Sequence, residues 1–399
     1  MLVSLLLGTV GSAGMYVVAV VLPEVQADFG TGRTGASLPY TLTMIGFGSG
    51  SVLMGVLSDR LRIVAPLLLG GVALGIGFLA ASQAGSILTF GLASFMVGFG
   101  CSTTFAPLVA DISLWFTRRR GIAMAIVACG NYVAGTIWPQ IVEPMTAASG
   151  WRHSYVVVGV FSIAMMLTLP WLLRPTPPGL DSLLAIRDRD RQSGQPRAKV
   201  DAGRPLGLHP NLLQALLCLS GVSCCVAMSM PQVHIVALCA DLGYGTERGA
   251  QMLSLMLGFG IISRLVSGWI SDHIGGPRTL LLGAMLQCIA LIAFLPNQSV
   301  NMLYVASAMF GLFQGGIVPA YALIVRELYP PEQAGTRVSL TMTATLLGMA
   351  LGGWLSGLIY DLTLSYDYAF LNGIAWNLIT VSIATFLTLR TSRPRLAMA

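Results

Sequence analysis

Apolar runs of about 20 residues recur from one end of the chain to the other, separated by short polar breaks. A run of that length crosses a hydrocarbon core of roughly 30 Å as a helix, because backbone amides in lipid must pair within their own segment. The pattern predicts helices at 2–22, 35–57, 63–82, 86–111, 120–142 and 153–173, then at 211–238, 248–271, 278–296, 300–325, 336–360 and 367–390. One polar stretch, 174–209, is longer than the rest and rich in Pro, Arg and Asp. It reads as a linker, within which 180–191 forms either a short surface helix or solvated coil. The chain therefore divides into a six-helix unit (1–173), the linker (174–209) and a second six-helix unit with a short tail (210–399). The predicted fold class is an all-α membrane protein, twelve transmembrane helices in two pseudo-symmetric six-helix bundles.

Composition agrees. Only 10% of the 399 residues are charged, against roughly 25% in a soluble domain. The 46 glycines would weaken helices in water, but in a membrane bundle they let backbones approach closely. The net charge of +6 points to nucleic acid only until the charges are located. Eighteen of the 22 Lys and Arg fall in alternate loops and the tail, three (Arg33, Arg152, Arg248) in the loops between, and Arg264 inside an apolar run. That is the positive-inside pattern, not a phosphate-binding surface, and it places both termini in the cytoplasm. The first run lacks a basic n-region and a small-residue cleavage site, so it reads as a retained helix. The expected setting is a bacterial inner membrane, with lipid as the surrounding partner, a monomer, and no nucleic acid. Seven cysteines sit almost wholly within apolar runs without ligand spacing and read as packing residues.

The two halves echo each other. The second run carries Met44-Ile-Gly-Phe-Gly48 and ends in Gly55-Val-Leu-Ser-Asp59-Arg60; the eighth carries Met256-Leu-Gly-Phe-Gly260 and ends in Gly268-Trp-Ile-Ser-Asp272-His273. The register slips by one residue between these matches. Segment 98–107 likewise echoes 311–319. Two repeated units are what alternating access needs, one rocking against the other around a central site.

On these residues the chain resembles the major facilitator superfamily over essentially its full length. Gly55-Val-Leu-Ser-Asp59-Arg60-Leu-Arg62 is similar to that superfamily's loop signature, and Gly268 to Arg278 is its second copy. The spacing suits a latch in which Gly55 and Gly268 permit close helix contact while Asp59, Arg60, Arg62, Asp272 and Arg278 pair at the cytoplasmic rim. Ordinary positive-inside charge is the alternative reading. Each such pair is worth about 1 kcal/mol or less, so a latch of this kind can break. A narrower resemblance is to the monocarboxylate and oxalate–formate porters. It rests on Trp115-Phe116-Thr-Arg118-Arg119-Arg120-Gly121-Ile-Ala123, on Gly150-Trp151-Arg152, and on Gly260-Ile-Ile-Ser-Arg264-Leu-Val-Ser-Gly268. Arg118 and Arg120 join the rim charges on this reading. Arg264 stands where that branch keeps a substrate-binding arginine. Proton-coupled members resemble the chain there but add an acid one turn earlier, where Gly260 stands, and oxalate exchange implies a lysine in the eleventh helix, which offers Thr341, Thr343 and Thr345.

Arg264 is the most informative residue. It lies eight residues before Asp272, roughly 12 Å along a helix and so near mid-membrane, where a charge costs several kilocalories unless it faces a wet cavity or a partner. No carboxylate falls at that depth in any predicted helix. An unpaired guanidinium in a cavity suits a carboxylate; the alternative is a structural arginine bonded to helix carbonyls. Asn131, Tyr132, Ser102, Thr103, Thr104 and Gln314 lie near the same depth, with Asn131, Tyr132 and Gln314 the better candidate ligand contacts; each is also explained as helix–helix glue. Tyr16, Tyr40 and Tyr321 are candidates to line the pathway, interfacial tyrosines being the alternative. His234 follows Met230-Pro231-Gln232; Pro231 is expected to interrupt the helix, and His234 either carries a proton or is a satisfied polar residue.

The expectation is a secondary transporter of a small organic anion, a monocarboxylate, with a co-transported proton or a counter-anion. Efflux of amphipathic compounds, or ligand sensing without flux, is the alternative. No cofactor or metal is expected: no GxxxxGK[ST] loop occurs and the four histidines are scattered, which argues against an enzyme and against primary active transport by this chain.

Overall fold

The structure, a computed structural model, describes residues 1–61, 63–116, 120–173, 205–295 and 299–392, with the side chains of Asp59, Arg60, Ser113, Arg120, Gly121, Pro331, Glu332 and Ser392 excepted. Among the described residues twelve helices are long and apolar enough to cross a membrane. In chain order they are α1 Leu2–Val20, α2 Arg33–Ser58, α3 Val64–Ser82, α4 Ile87–Ile112, α5 Ile122–Ser149 and α6 Trp151–Leu173. The second set is α7 Pro210–Asp241, α8 Thr246–Ile274, α9 Gly276–Phe294, α10 Val300–Leu328, α11 Gln333–Thr363 and α12 Tyr366–Thr391. Segment 180–191, read as either a short surface helix or solvated coil, lies outside the described residues.

Helix pairing repeats with a period of six. In the first half α1 packs on α5, α2 on α4, α3 on α4 and α6; in the second, α7 packs on α11, α8 on α10, α9 on α10 and α12. The halves meet through α2 against α11 and α5 against α8. The sequence repeat is the cause of this symmetry. A Cβ added to Gly98 of α4 would lie 1.9 Å from the Thr43 carbonyl of α2, and one on Gly311 of α10 would lie 1.9 Å from the Met256 carbonyl of α8. Any side chain at either glycine would push the helices apart. Thr43 precedes Met44, the counterpart of Met256, so the crossing slips by the same one residue as the motif.

Two local expectations are corrected. Pro231 does not interrupt α7, which runs unbroken from Pro210 to Asp241; the ring removes one intrahelical bond, and the burial of every residue from Ser223 to Cys239 holds the segment helical. Helix α5 does not stop at 142 but continues through Pro139 and Pro144 to Ser149, where Gly150 at φ +81° ends it. Interruptions occur elsewhere. α4 passes through a 3₁₀ turn at Ser102–Thr104, α5 breaks at Cys129, and α10 breaks between Gln314 and Ile317.

Gly150-Trp151-Arg152 clamps one end of the first half. Trp151 is buried and stands edge-on to Phe90, ring centroids 5.0 Å apart. Arg152 pairs with Asp28, donates to the Ala84 carbonyl at 3.0 Å, and lies over the Trp151 ring.

Candidate substrate cavity and its seal

A cavity of about 310 Å³ lies between the halves. Its walls come from α1, α2, α4 and α5 and from their counterparts six helices later, α7, α8, α10 and α11. It reaches Val52, Val338 and Ser339, toward the end that bears the α2–α3 and α8–α9 loops. Tyr16, Asn131, Tyr132 and Arg264 all line it.

Arg264 is held in place but not used up. Its Nη1 donates to the Ala128 carbonyl at 2.7 Å, beside the break in α5. Its Cζ stands 4.6 Å from the centre of the Tyr132 ring. Its Nε is buried without a hydrogen-bond partner. A guanidinium has five N–H donors, so one carbonyl and one aromatic face leave capacity for an anion. The cavity wall holds no Asp or Glu among the described residues. Gly260, one turn before Arg264, makes this possible: a Cβ there would lie 2.4 Å from Cε1 of Tyr132. The tyrosine ring therefore occupies the place where the resemblance puts an acid in proton-coupled carriers. Asn131 Oδ1, beside Tyr132, is buried and unpartnered.

Other candidates are not brought to the cavity. Gln314 is fully buried one layer behind it, accepting at 3.0 Å from Gln232 Nε2. Gln232 itself lines the wall, and sequence reasoning passed it over; a glutamine amid an apolar run was the signal available. His234 is fully buried outside the lining, its Nε2 2.9 Å from the Gly353 carbonyl and its ring 5.7 Å from Tyr366. Ser102, Thr103 and Thr104 spend their hydroxyls on the carbonyls of Phe99, Gly100 and Cys101. Tyr321 bonds Ser220 within the second half.

The end opposite the α2–α3 loop is sealed by a polar seam. Arg33, at the start of α2, donates from Nη2 to Asp241 Oδ1 at 2.5 Å, across from the end of α7. Asp361 of α11 accepts from the amides of Arg33 and Thr34, each at 2.8 Å, and from Thr34 Oγ1 at 2.6 Å. One carboxylate thus caps the N-terminus of a helix in the other half. Below this, Gly353 and Gly357 bring α11 against Tyr40 and the Arg33 backbone. Beside α5 and α8 the seam continues as Thr246 Oγ1 donating to Glu143 Oε1 at 2.8 Å and Gln140 Nε2 to Ser254 Oγ at 3.0 Å. Glu24, just past α1, has Oε2 buried without a partner; burial, and then the nearby Glu143, hold its carboxyl above the usual range.

At the other end the expected contact of Gly55 and Gly268 is not made: a Cβ on either would meet nothing within 4 Å. With the halves packed at the Arg33 seam, both glycines face open space. Asp272 and Arg278 are exposed. Arg62 and Arg118, and the side chains of Asp59, Arg60 and Arg120, lie outside the described residues.

The sequence matches the profile of the Major Facilitator Superfamily over residues 4–296 and 252–397. The chain belongs to that superfamily. As a major facilitator protein it is a transporter, not an enzyme, and its relatives include monocarboxylate transporters. It is 27% identical over 359 residues to monocarboxylate transporter 13 of Rattus norvegicus, covering 87% of this chain and 80% of the relative. It is 25% identical over 329 residues to monocarboxylate transporter 11 of Homo sapiens, covering 79% and 66%. It is also 24% identical over 266 residues to an agnestins efflux protein of Paecilomyces divaricatus, covering 65% and 57%. Among solved structures, a bacterial homologue of the human lysosomal transporter Spinster in an inward-facing, occupied conformation superposes with TM-score 0.75 at 16% identity, over 100% of this chain and 98% of that one. The inward-open xylose transporter XylE from E. coli gives 0.71 at 14% identity, over 99% and 96%. These establish a shared major facilitator fold.

Proposed function

We propose that this major facilitator protein is a secondary transporter of a small organic anion, a monocarboxylate, bound by Arg264 in the central cavity. The observation that carries the reading is a partly unsatisfied guanidinium on a cavity wall that holds no acidic side chain among the described residues. A cationic substrate would meet the wrong charge there. The relatives named as monocarboxylate transporters support the same class.

Units 1–173 and 210–399 rock about the cavity, joined by the linker 174–209. The positive-inside charge puts both termini and the α2–α3 end in the cytoplasm of a bacterial cell, so the Arg33 seam is the outer gate and the conformation is inward-facing. The rim charges Asp59, Arg60, Arg62, Arg118, Arg120, Asp272 and Arg278 pair when the inner end closes and Gly55 and Gly268 come into contact. Coupling is to a proton or a counter-anion, and the transporter acts as a monomer.

The test is thermal stabilisation of the purified protein by a panel of small acids, with Arg264→Gln in parallel. A ligand at one hundred times its Kd adds about 2.7 kcal/mol of stability. Stabilisation of the native protein alone supports the site; stabilisation only by cationic or neutral compounds, in both proteins, removes it. Liposome flux then separates a transporter from a sensor.

A further inference from the structure

Five side chains on the cavity wall keep hydrogen-bonding capacity: Tyr16, Asn131, Tyr132, Arg264 and Gln232. The first four gather around the guanidinium on α1, α5 and α8. The serines and threonines of the wall are different. Ser51, Ser339, Thr343 and Thr345 each donate to a carbonyl three or four residues back in their own helix, at 2.7 to 3.0 Å. Their hydrogens are spent, so they offer a ligand no donor. Apolar side chains of the wall include Phe47, Met228, Leu257, Met342, Leu346 and Met349. Met342, Leu346 and Met349 are spaced four and three apart, one stripe on the cavity face of α11. Thioethers adapt to varied apolar shapes.

Resting on the assignment of Arg264 as the carboxylate site, we infer that the substrate is an amphipathic monocarboxylate, with an apolar body of several carbons lying against the α11 stripe. A second carboxylate or a run of hydroxyls would be desolvated against methionine and leucine, with only the neutral Gln232 and the lone pairs of the wall serines and threonines to offset the cost. Small hydrophilic acids and dicarboxylates are thereby disfavoured.

The test uses the full chain in nanodiscs and measures Kd by intrinsic tryptophan fluorescence for acetate, butanoate, pentanoate and hexanoate. Hydroxylated and dicarboxylate analogues of equal length and the neutral amide of hexanoate complete the set. Each buried methylene should tighten binding about fourfold, while Met342→Gln and Met349→Gln should flatten that slope. Arg264→Gln should weaken every acid. If Arg264→Gln abolishes binding but affinity is flat with length, or hydroxylated acids bind equally well, the amphipathic class is overturned and the carboxylate site stands. If affinity rises with length, the amide binds as tightly, and Arg264→Gln changes nothing, the carboxylate site fails and the acid assignment goes with it. Absence of binding by every acid overturns both.

Discussion

Arg33 and Asp241 pair across the boundary between the two halves, Nη2 to Oδ1 at 2.5 Å, with the Arg33 side chain 6% exposed and that of Asp241 32%. Removing one partner of a fully buried pair costs roughly 3–5 kcal/mol. Solvent at Asp241 reduces this, and we expect about 1–2 kcal/mol for Arg33→Ala, roughly a tenfold shift away from the sealed seam. In a cysteine-free background, a cysteine at Met349 should then react faster with an impermeant thiol reagent added from the seam side. Unchanged reactivity would show that the pair does not hold the seam.

Close backbone approach seals the same interface. A Cβ on Gly357 would lie 2.7 Å from the Arg33 carbonyl and 2.8 Å from Ser37 Oγ. Gly357→Val should therefore wedge α11 from α2, and Gly357→Ala should do so less. The measurement is the distance between spin labels on the seam ends of α2 and α11. A distribution identical to wild type for the valine variant would refute the wedge.

The Tyr132 ring is the platform on which Arg264 rests. Cation–π contact is worth about 0.5–2 kcal/mol, so Tyr132→Phe should keep acid affinity within about threefold and Tyr132→Leu should lose about tenfold. Gly260→Ala, which places a methyl 2.4 Å from that ring, should resemble the leucine variant and also lower the melting temperature, overpacking costing about 1–3 kcal/mol. Equal affinity for the phenylalanine and leucine variants would sink the platform idea.

Glu24 carries a pH signature. Its carboxyl lies above its ordinary value of 4.5 because of burial and then Glu143. The folded protein holds that proton more tightly than the unfolded chain, so Glu24's contribution is fully present below about pH 4.5 and is lost as pH rises through the raised value. Glu24→Gln should raise the melting temperature at pH 8 and leave it unchanged at pH 4. An equal shift at both pH values would contradict the assignment.

The sequence by itself determined the twelve spans and the six-plus-six division of pairing, and it singled out Arg264, Asn131, Tyr132 and Tyr16, which line one cavity. The physical reason is local. Lipid forces each segment to satisfy its own backbone, so hydrophobic length alone specifies a helix, and 1.5 Å per residue converts chain position into depth. Repeated glycines at 98 and 311 carried the symmetry because close crossing is a property of the residue itself. What depth does not give is azimuth, the side of the helix a residue faces at a given level. Gln314 had the right depth but lies outside the cavity wall, while Gln232 faces it. Only tertiary structure placed Tyr132 beneath Arg264, in space left by Gly260 from another helix. The partners of Arg33 are 208 and 328 residues away, and no local pattern joins them. The sealed seam at one end and the open space at Gly55 and Gly268 at the other belong to one packing of the two halves, and that packing was decided by contacts between helices rather than by any segment alone.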